Sequence, residues 1–485
     1  MNIKKLLYAI MSSLIPLLIC TTVSAEIYYE DGIFGSVNTT RHDQTIALYK
    51  NGQMISSAIG NTIDTRGVDF DKLRIFLWEK ASMKPVRESV DLSYDDVVST
   101  PERVPSEPQY GDIPNVCLTG DMTEMSKENS VTLGLKYESA TDSFEGYASA
   151  KHQGNYALNF EKKNFSIKLY KNAVLDKKLK VSFKDWDKSN NYVLKANYID
   201  STAARNIVSA RLYSRLPGVT LPGGTAGVID GFPVRLYING SFFGLYTWNK
   251  PKKGWVFGLD DEDPNNLLYF SNYAKGSGLF ETNYSADHYW ELVYPDEHAS
   301  EKEFDRVTDF VATSTDEEFR EHAEEYLDLN SLLNFYVFSQ LILHTDGTGK
   351  NMNMVTYDGS IWYIRPYDLD ATYGLYWTGA RTIPYNTDMA NENMRKSRLW
   401  SKLEDNFPQE IYDRYQEIRH DQMSEDAVLD AFAYFMNEVG DELYAENNAR
   451  WSQPGKSFLL NQIEDFLNTR YPYLDSYMEK FNVNK

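Results

Sequence analysis

The chain has 485 residues, of which 42% are hydrophobic and 25% are charged. These proportions are typical of a globular protein and exclude a disordered or collagen-like chain. The net charge of −21, from 49 basic and 70 acidic residues, repels phosphate backbones, so we expect no nucleic-acid partner. The same charge disfavours binding to anionic membrane surfaces.

The N-terminus has the pattern of an export signal. Two lysines precede an apolar run, residues 6–20, and a small-residue cleavage site ends at Ala25. We expect cleavage after Ala25 and a secreted or cell-surface protein. A lipoprotein anchored through Cys20 is less favoured, because Ile19 is bulkier than the residue usual before a lipidated cysteine. No later stretch approaches the roughly 18 apolar residues of a membrane-spanning helix.

Residues 26–98 have the alternating pattern of a small all-β, sandwich-like module. One of its predicted strands, residues 45–49, leads into Asn51-Gly52, which is a strong β-hairpin signal. Residues 99–109 carry three prolines and predict an extended linker. At about 100–200 residues per domain, the rest of the chain is long enough for a larger domain with its own core.

From residue 110 onward the sequence predicts a β-rich part, about 110–248, and a helix-rich part, about 249–485. Asn239-Gly240 joins two strand patterns with a type I′ hairpin signature. One helix, predicted over Ser201–Arg215, interrupts the β-rich part. We therefore predict an α+β fold, and a cleft between two such lobes is a common place for a ligand.

A single cysteine, Cys117, would remain after cleavage, so we expect no intramolecular disulfide. Cys117 lies in a predicted strand, where a buried small residue is its ordinary role. In the helix-rich part, Asp328 is expected to cap a helix.

The densest chemical signal begins at His344. With Asp346 and Asn351 it forms the pattern H-x-D-x4-N, and a predicted hairpin over 354–364 follows. Asp368 comes next, 22 residues after Asp346. This is the order of the phosphoryl-transfer residues in the protein-kinase fold.

The chemistry explains why these residue types are needed. Asp346, on a loop, can orient a hydroxyl group and accept its proton. Asn351 and Asp368 can hold a divalent metal, and Mg²⁺ prefers such oxygen ligands. Asp370 is a rival for the metal role of Asp368. Roles as turn formers remain alternatives for the acidic residues and for Asn351, and His344 can be a packed support.

Five motifs occur in order between about Asn115 and Met478. They are Gly154-Asn155 with Lys162–Leu169, Asn191–Ser201 with Arg205-Asn206, Leu236–Tyr246, Asp346–Asn351 and Tyr367–Gly374. Together they resemble the spore-coat-protein-H (CotH) kinase family. The resemblance implies an atypical, two-lobed protein-kinase-like fold. It also implies transfer of phosphate from ATP, with Mg²⁺ or Mn²⁺, to Ser or Thr of exported proteins.

By this resemblance, Asp346 would be the catalytic residue, and Asn351 with Asp368 or Asp370 would hold the metal. The family also implies a protein substrate. The acidity of the chain suits a basic one, and a Ser-rich one is the alternative. Two alternatives stay open: a kinase-like binding or surface-attachment protein without catalysis, and an enzyme that transfers another group, such as AMP. The sequence makes no prediction of oligomeric state.

A kinase-like site also needs a nucleotide-contacting lysine on a strand of the β-rich lobe. Lys168, inside a strand motif, is the first candidate, with Lys163 and Lys195 as alternatives. Arg205, on the predicted helix, could contact phosphate or pair with a carboxylate. Asn249 lies in the expected interlobe hinge, where the family often carries Glu.

Overall fold

The computed structural model describes residues 25–30, 33–38, 42–59, 62–79, 85–94, 113–271, 280, 290–296, 302–347, 349–389, 397–452 and 459–484. The predicted export signal up to residue 24, with Cys20, and the predicted linker 99–109 lie outside the described residues. The chain divides into two compact units. They are Met1–Gly111 with Ala433–Asp441, and Asp112–Phe432 with Glu442–Lys485.

The first unit contains two antiparallel sheets, ordered β1-β2-β5 and β4-β3-β6-β7. Their strands are β1 Ala25–Glu30, β2 Ile33–Asn38, β3 His42–Lys50, β4 Gln53–Ile59, β5 Thr62–Asp64, β6 Lys72–Glu79 and β7 Pro85–Ser93. Alternate residues such as Ile46 and Leu48 are buried in a small apolar core. The predicted hairpin is confirmed, because Asn51 and Gly52 join β3 to β4 with φ values of 51° and 78°.

The second unit begins with a closed seven-stranded barrel, ordered β10-β11-β12-β14-β13-β8-β9. Its strands are β8 Asn115–Thr119, β9 Val131–Glu138, β10 Ser143–Gln153, β11 Asn164–Tyr170, β12 Asn191–Lys195, β13 Gly231–Ile238 and β14 Ser241–Asn249. The hairpin signal at Asn239-Gly240 is confirmed, with φ values of 49° and 79°. β8 and β13 pair in parallel, and the other barrel pairs are antiparallel.

The barrel interior is filled by alternate side chains from each strand. In β11, Ile167 and Leu169 are buried, whereas Lys168 between them is exposed. In β8 the strand prediction around Cys117 is confirmed, but its full burial is wrong. Cys117 is half-buried, because Val116 and Leu118 take the inward positions.

Helix α1, Arg205–Tyr213, is shorter than predicted. Its start is delayed because the Asp200 carboxylate accepts hydrogen bonds from two backbone N–H groups, those of Thr202 at 3.1 Å and Arg205 at 2.9 Å. Asp200 therefore satisfies donors at the helix start from five residues upstream rather than from the capping position. Residues 200–204 form turns leading into the helix.

The rest of the second unit joins a four-stranded sheet to helices. The sheet, ordered β16-β15-β17-β18, has strands β15 Leu267–Ser271, β16 Trp290–Tyr294, β17 Met352–Thr356 and β18 Trp362–Pro366. The α-helices after the barrel are α2 Lys302–Thr313, α3 Asp316–His322, α4 Leu329–Ile342, α5 Arg398–Asn406, α6 Pro408–Arg419, α7 Glu425–Val439, α8 Asp441–Arg450 and α9 Leu459–Met478. Of these, residues 433–441, which end α7 and begin α8, belong to the first unit. The predicted α+β class is confirmed.

Two further local predictions hold in this part. Asp328 caps α4 by accepting a hydrogen bond of 2.7 Å from the backbone N–H of Ser331. The predicted hairpin over 354–364 is the β17–β18 pair. Among the described residues, no helix combines the length and the apolar character needed to cross a membrane.

The end of α8 returns to the barrel, and we call residues 444–452 the C-terminal strap. Asn447 accepts a hydrogen bond of 3.1 Å from the backbone N–H of Leu245, in β14. The Trp451 indole donates one of 2.6 Å to the carbonyl of Phe243. The helix-rich part is thus tied directly to a barrel strand.

Lys162 is buried beneath the C-terminal strap, and its ammonium donates to the carbonyls of Ala196 at 2.9 Å and Leu245 at 2.6 Å, and to Asn447 at 3.0 Å. Lys162→Met removes this donor from three buried acceptors, so we expect a loss of about 1–3 kcal/mol in the free energy of unfolding. Urea denaturation measures the loss. The control Lys168→Met, on the exposed face of β11, should stay within about 0.5 kcal/mol of wild type. Equal losses in the two variants would contradict the prediction.

Candidate active site

The loop after α4 carries the first part of the site. The helix ends at Leu343, which has a left-handed φ of 54°. In the loop that follows, the carbonyl of Asp346 accepts a hydrogen bond of 3.1 Å from the backbone N–H of Lys350. His344 is fully buried. Burial lowers the pKa of His344 to about 4, so its ring is neutral at physiological pH. A neutral, fully buried ring agrees with the expectation that His344 is a packed support.

The β17–β18 hairpin brings Asn351 beside the acidic segment. Met352 pairs with Pro366 at the base of the hairpin. The backbone N–H of Tyr367 then donates a hydrogen bond of 2.9 Å to the carbonyl of Asn351. Asn351 and Asp368 both have positive φ values, 58° and 54°, in the left-handed region that Asn and Asp occupy more readily than most residues. Such backbone conformations cluster at functional sites.

Asp346, Asp368 and Asp370 form what we call the acidic cluster. Burial raises the pKa of Asp346, and the charge of Asp368 adds to the effect while Lys350 opposes it. Burial, and then the charge of Asp368, raise the pKa of Asp370 to about 8. Asp346 contributes to the rise at Asp370 as well. The three carboxylates therefore act on one another at a single place in the fold.

Lys195, the last residue of β12, contacts this cluster directly. Its ammonium lies 2.9 Å from a carboxylate oxygen of Asp368, and the two side chains are 12% and 34% exposed. Burial alone would raise the pKa of Asp368, but Lys195, and more weakly Lys350, hold it below its ordinary value. Burial lowers the pKa of Lys195, but Asp368, Tyr367 and Asp370 together outweigh this effect, so the pKa is raised.

The structure places the other two predicted lysines elsewhere. Lys168 pairs with Asn191 in the β11–β12 register, four residues from Lys195, or about 13 Å along the strand. Its side chain is exposed, and of the three predicted lysines it is Lys195 for which the structure shows a contact with the acidic cluster. The Lys163 ammonium donates to the backbone carbonyl of Leu158 at 2.6 Å and stabilises the turn before β11.

Arg205 is fully buried. It forms an ion pair with Asp200, and it donates to the carbonyl of Thr372 at 3.2 Å and to the side chain of Gln462. The predicted contact with phosphate is therefore wrong, because the guanidinium is enclosed by protein. The alternative, pairing with a carboxylate, is confirmed.

The oxygen atoms at this site are of the chemical type that hard cations bind. Carboxylate oxygens of Asp368 and Asp370 and the amide oxygen of Asn351 are ligands that Mg²⁺ accepts. Within the described residues, however, no group of three or more His, Cys, Asp or Glu side chains has the arrangement to hold a metal ion. Lys195 supplies the positive charge that contacts Asp368.

Two residues of this site escaped the sequence reasoning. Lys350 acts electrostatically on both Asp346 and Asp368, and its position directly before Asn351 in the loop motif was a usable signal. Asn206 accepts a hydrogen bond of 3.0 Å from the backbone N–H of Leu369. The motif that contains Asn206 could be recognised in the sequence, but its hydrogen-bond partner, Leu369, could not.

A comparison with protein families matches one description, CotH kinase protein, over residues 150–474. The match covers more than half of the chain and contains the whole acidic cluster and Lys195. The chain therefore belongs to the CotH kinase protein family, as the five motifs indicated. No curated protein matches the chain. Membership implies a possible kinase activity with use of ATP and a protein substrate.

Gly347 packs so closely on His344 that a Cβ atom there would lie 2.8 Å from the ring Cγ and closer still to Nδ1. Gly347→Ala should therefore lower the free energy of unfolding by about 1–3 kcal/mol through overpacking. A double-mutant cycle with His344→Ala, measured by urea denaturation, tests the cause. The Gly347→Ala loss should shrink by about 1 kcal/mol or more when the ring is absent. Strictly additive losses would show that the ring is not responsible.

Proposed function

We propose that this protein is a kinase-like phosphotransferase that moves the γ-phosphate of ATP to Ser or Thr hydroxyls of protein substrates, with Mg²⁺ or Mn²⁺. One observation carries the proposal. In a CotH kinase family domain, the fold brings Asp346, Asn351 and Asp368 together at one end of a hairpin, with Lys195 on Asp368. These are the residue types and the chain order of kinase phosphoryl transfer.

Asp346 is the proposed catalytic residue. It lies on the loop between α4 and β17, is half-buried, and belongs to the acidic cluster with Asp368 and Asp370. As a carboxylate it can orient the acceptor hydroxyl and take its proton while the oxygen attacks the γ-phosphate. The proton then resides on Asp346 and the phosphate on the substrate oxygen, with ADP as the leaving group.

Asn351 and Asp368 would hold the metal, with Asp370 as the rival ligand. A bound divalent ion would neutralise charge on the ATP phosphates. Lys195 is the proposed nucleotide contact. It ends β12, the strand that precedes α1, and protein kinases carry their nucleotide lysine on the strand that precedes the helix of the same lobe. The predicted export signal leads us to propose that the substrates are extracytoplasmic.

Asp346→Asn tests the catalytic assignment. The variant keeps the size of the side chain but loses the proton acceptor, so phosphate transfer from radiolabelled ATP should fall about 100-fold or more. The matched control is Asp358→Asn at the opposite end of the same hairpin. There the side chain accepts hydrogen bonds from the backbone N–H groups of Ser360 and Ile361, which an amide oxygen can also do. Undiminished transfer by Asp346→Asn would sink the assignment.

Lys195→Met tests whether Lys195 contacts the nucleotide. Comparison with Lys168→Met distinguishes it from Lys168, the first candidate from the sequence. Loss of a charge-assisted contact should weaken Mg-ATP binding about 10-fold or more, while Lys168→Met should bind like wild type. Isothermal titration calorimetry measures both affinities. Weakening by Lys168→Met alone would refute the choice between them. A wild-type protein that binds no Mg-ATP would favour the non-catalytic alternative, and mass spectrometry of the product would distinguish phosphate from AMP transfer.

A further inference from the structure

Side chains from two helices form hydrogen bonds with the backbone of the segment that carries Asp368 and Asp370. The contacts are Leu369 N–H to Asn206 at 3.0 Å, Arg205 to the Thr372 carbonyl at 3.2 Å, and Gln462 to the Tyr373 carbonyl at 2.8 Å. Asn206 and Arg205 belong to α1, and Gln462 belongs to α9. Residues 369–373 are therefore fixed at three backbone groups.

The contact at Asn206 is the one closest to the carboxylates. Asn206 is 1% exposed and Leu369 is fully buried. A buried backbone N–H without a partner is rare and costly, so this hydrogen bond is an essential part of the local structure. The N–H of Leu369 lies between Asp368 and Asp370 in the chain, and holding it restricts the direction of both side chains.

The role of α1 differs from that of the corresponding helix in most protein kinases. There a Glu on the helix pairs with the strand lysine. Helix α1 has the sequence RNIVSARLY and contains no acidic residue. Lys195 pairs with Asp368 itself, and α1 reaches the same segment through the neutral side chain of Asn206.

We propose that Asn206 is a positioning residue that sets Asp368 and Asp370 for the divalent ion, an inference that rests on the proposed function. Its amide oxygen holds the backbone between the two carboxylates. Its contact is to protein backbone, which distinguishes it from the catalytic residue Asp346. The helix and the acidic segment are thus joined by a hydrogen bond in place of an ion pair.

The test is Asn206→Ala, which removes the acceptor. At fixed ATP, the Mg²⁺ concentration that gives half of the ATP-dependent thermal shift should rise about 10-fold, equivalent to one lost hydrogen bond of this kind. Hydrogen exchange of the backbone over 367–373 should accelerate. The matched control is Val208→Ala, a buried change on the same helix. It lowers the melting temperature but should leave both the Mg²⁺ midpoint and the exchange of this segment unchanged.

The outcomes are separable. If wild type shows no Mg²⁺-dependent ATP response, the proposed function fails, and unchanged exchange in Asn206→Ala would then overturn the positioning role as well. If wild type responds and Asn206→Ala has the same Mg²⁺ midpoint, the positioning inference is overturned while the function stands. A merely structural role would reduce the melting temperature in both variants alike without moving the midpoint.

Discussion

Repulsion among carboxylates is the constraint on which the rest of this site depends. Asp346, Asp368 and Asp370 are partly buried, and the charge of Asp200 acts on Asp370 too. Like charges so placed disfavour one another's ionised forms. Lys195 and Lys350 offset part of this repulsion, but the pKa of Asp370 is still raised to about 8. The divalent cation of the proposed function would offset more of this repulsion.

Backbone structure, rather than contacts between the acidic side chains, holds the three carboxylates close together. The β17–β18 hairpin sets Asn351 opposite Tyr367, and two left-handed residues turn the chain at its open end. From the other side, α1 holds Leu369. These contacts are made by backbone groups and by Asn206, whereas the acidic side chain of Asp368 pairs with Lys195.

Local chemistry made the acidic half of the site predictable. Asp346, Asn351 and Asp368 lie on one loop and one hairpin, so turn signals and spacing suffice to bring them together. The lysine was harder, because both Lys168 and Lys195 lie on barrel strands and point outward. Only the register between β11 and β12 decides which one meets Asp368. The contacts of Arg205 could not be predicted for another reason. Its partner Gln462 is 257 residues away in sequence, and a local sequence pattern does not indicate such a contact.

The C-terminal strap makes contacts between residues that are synthesised early and residues that are synthesised late. Lys162 and Asn447 are separated by 285 residues, so the barrel emerges from the ribosome long before its last buried hydrogen bonds can form. Non-local contacts of this kind slow folding, and incompletely packed intermediates are prone to aggregate. A fragment that stops after α7 would retain every barrel strand yet lack Asn447 and Trp451. The barrel therefore lacks these last buried hydrogen bonds until nearly the whole chain has been made.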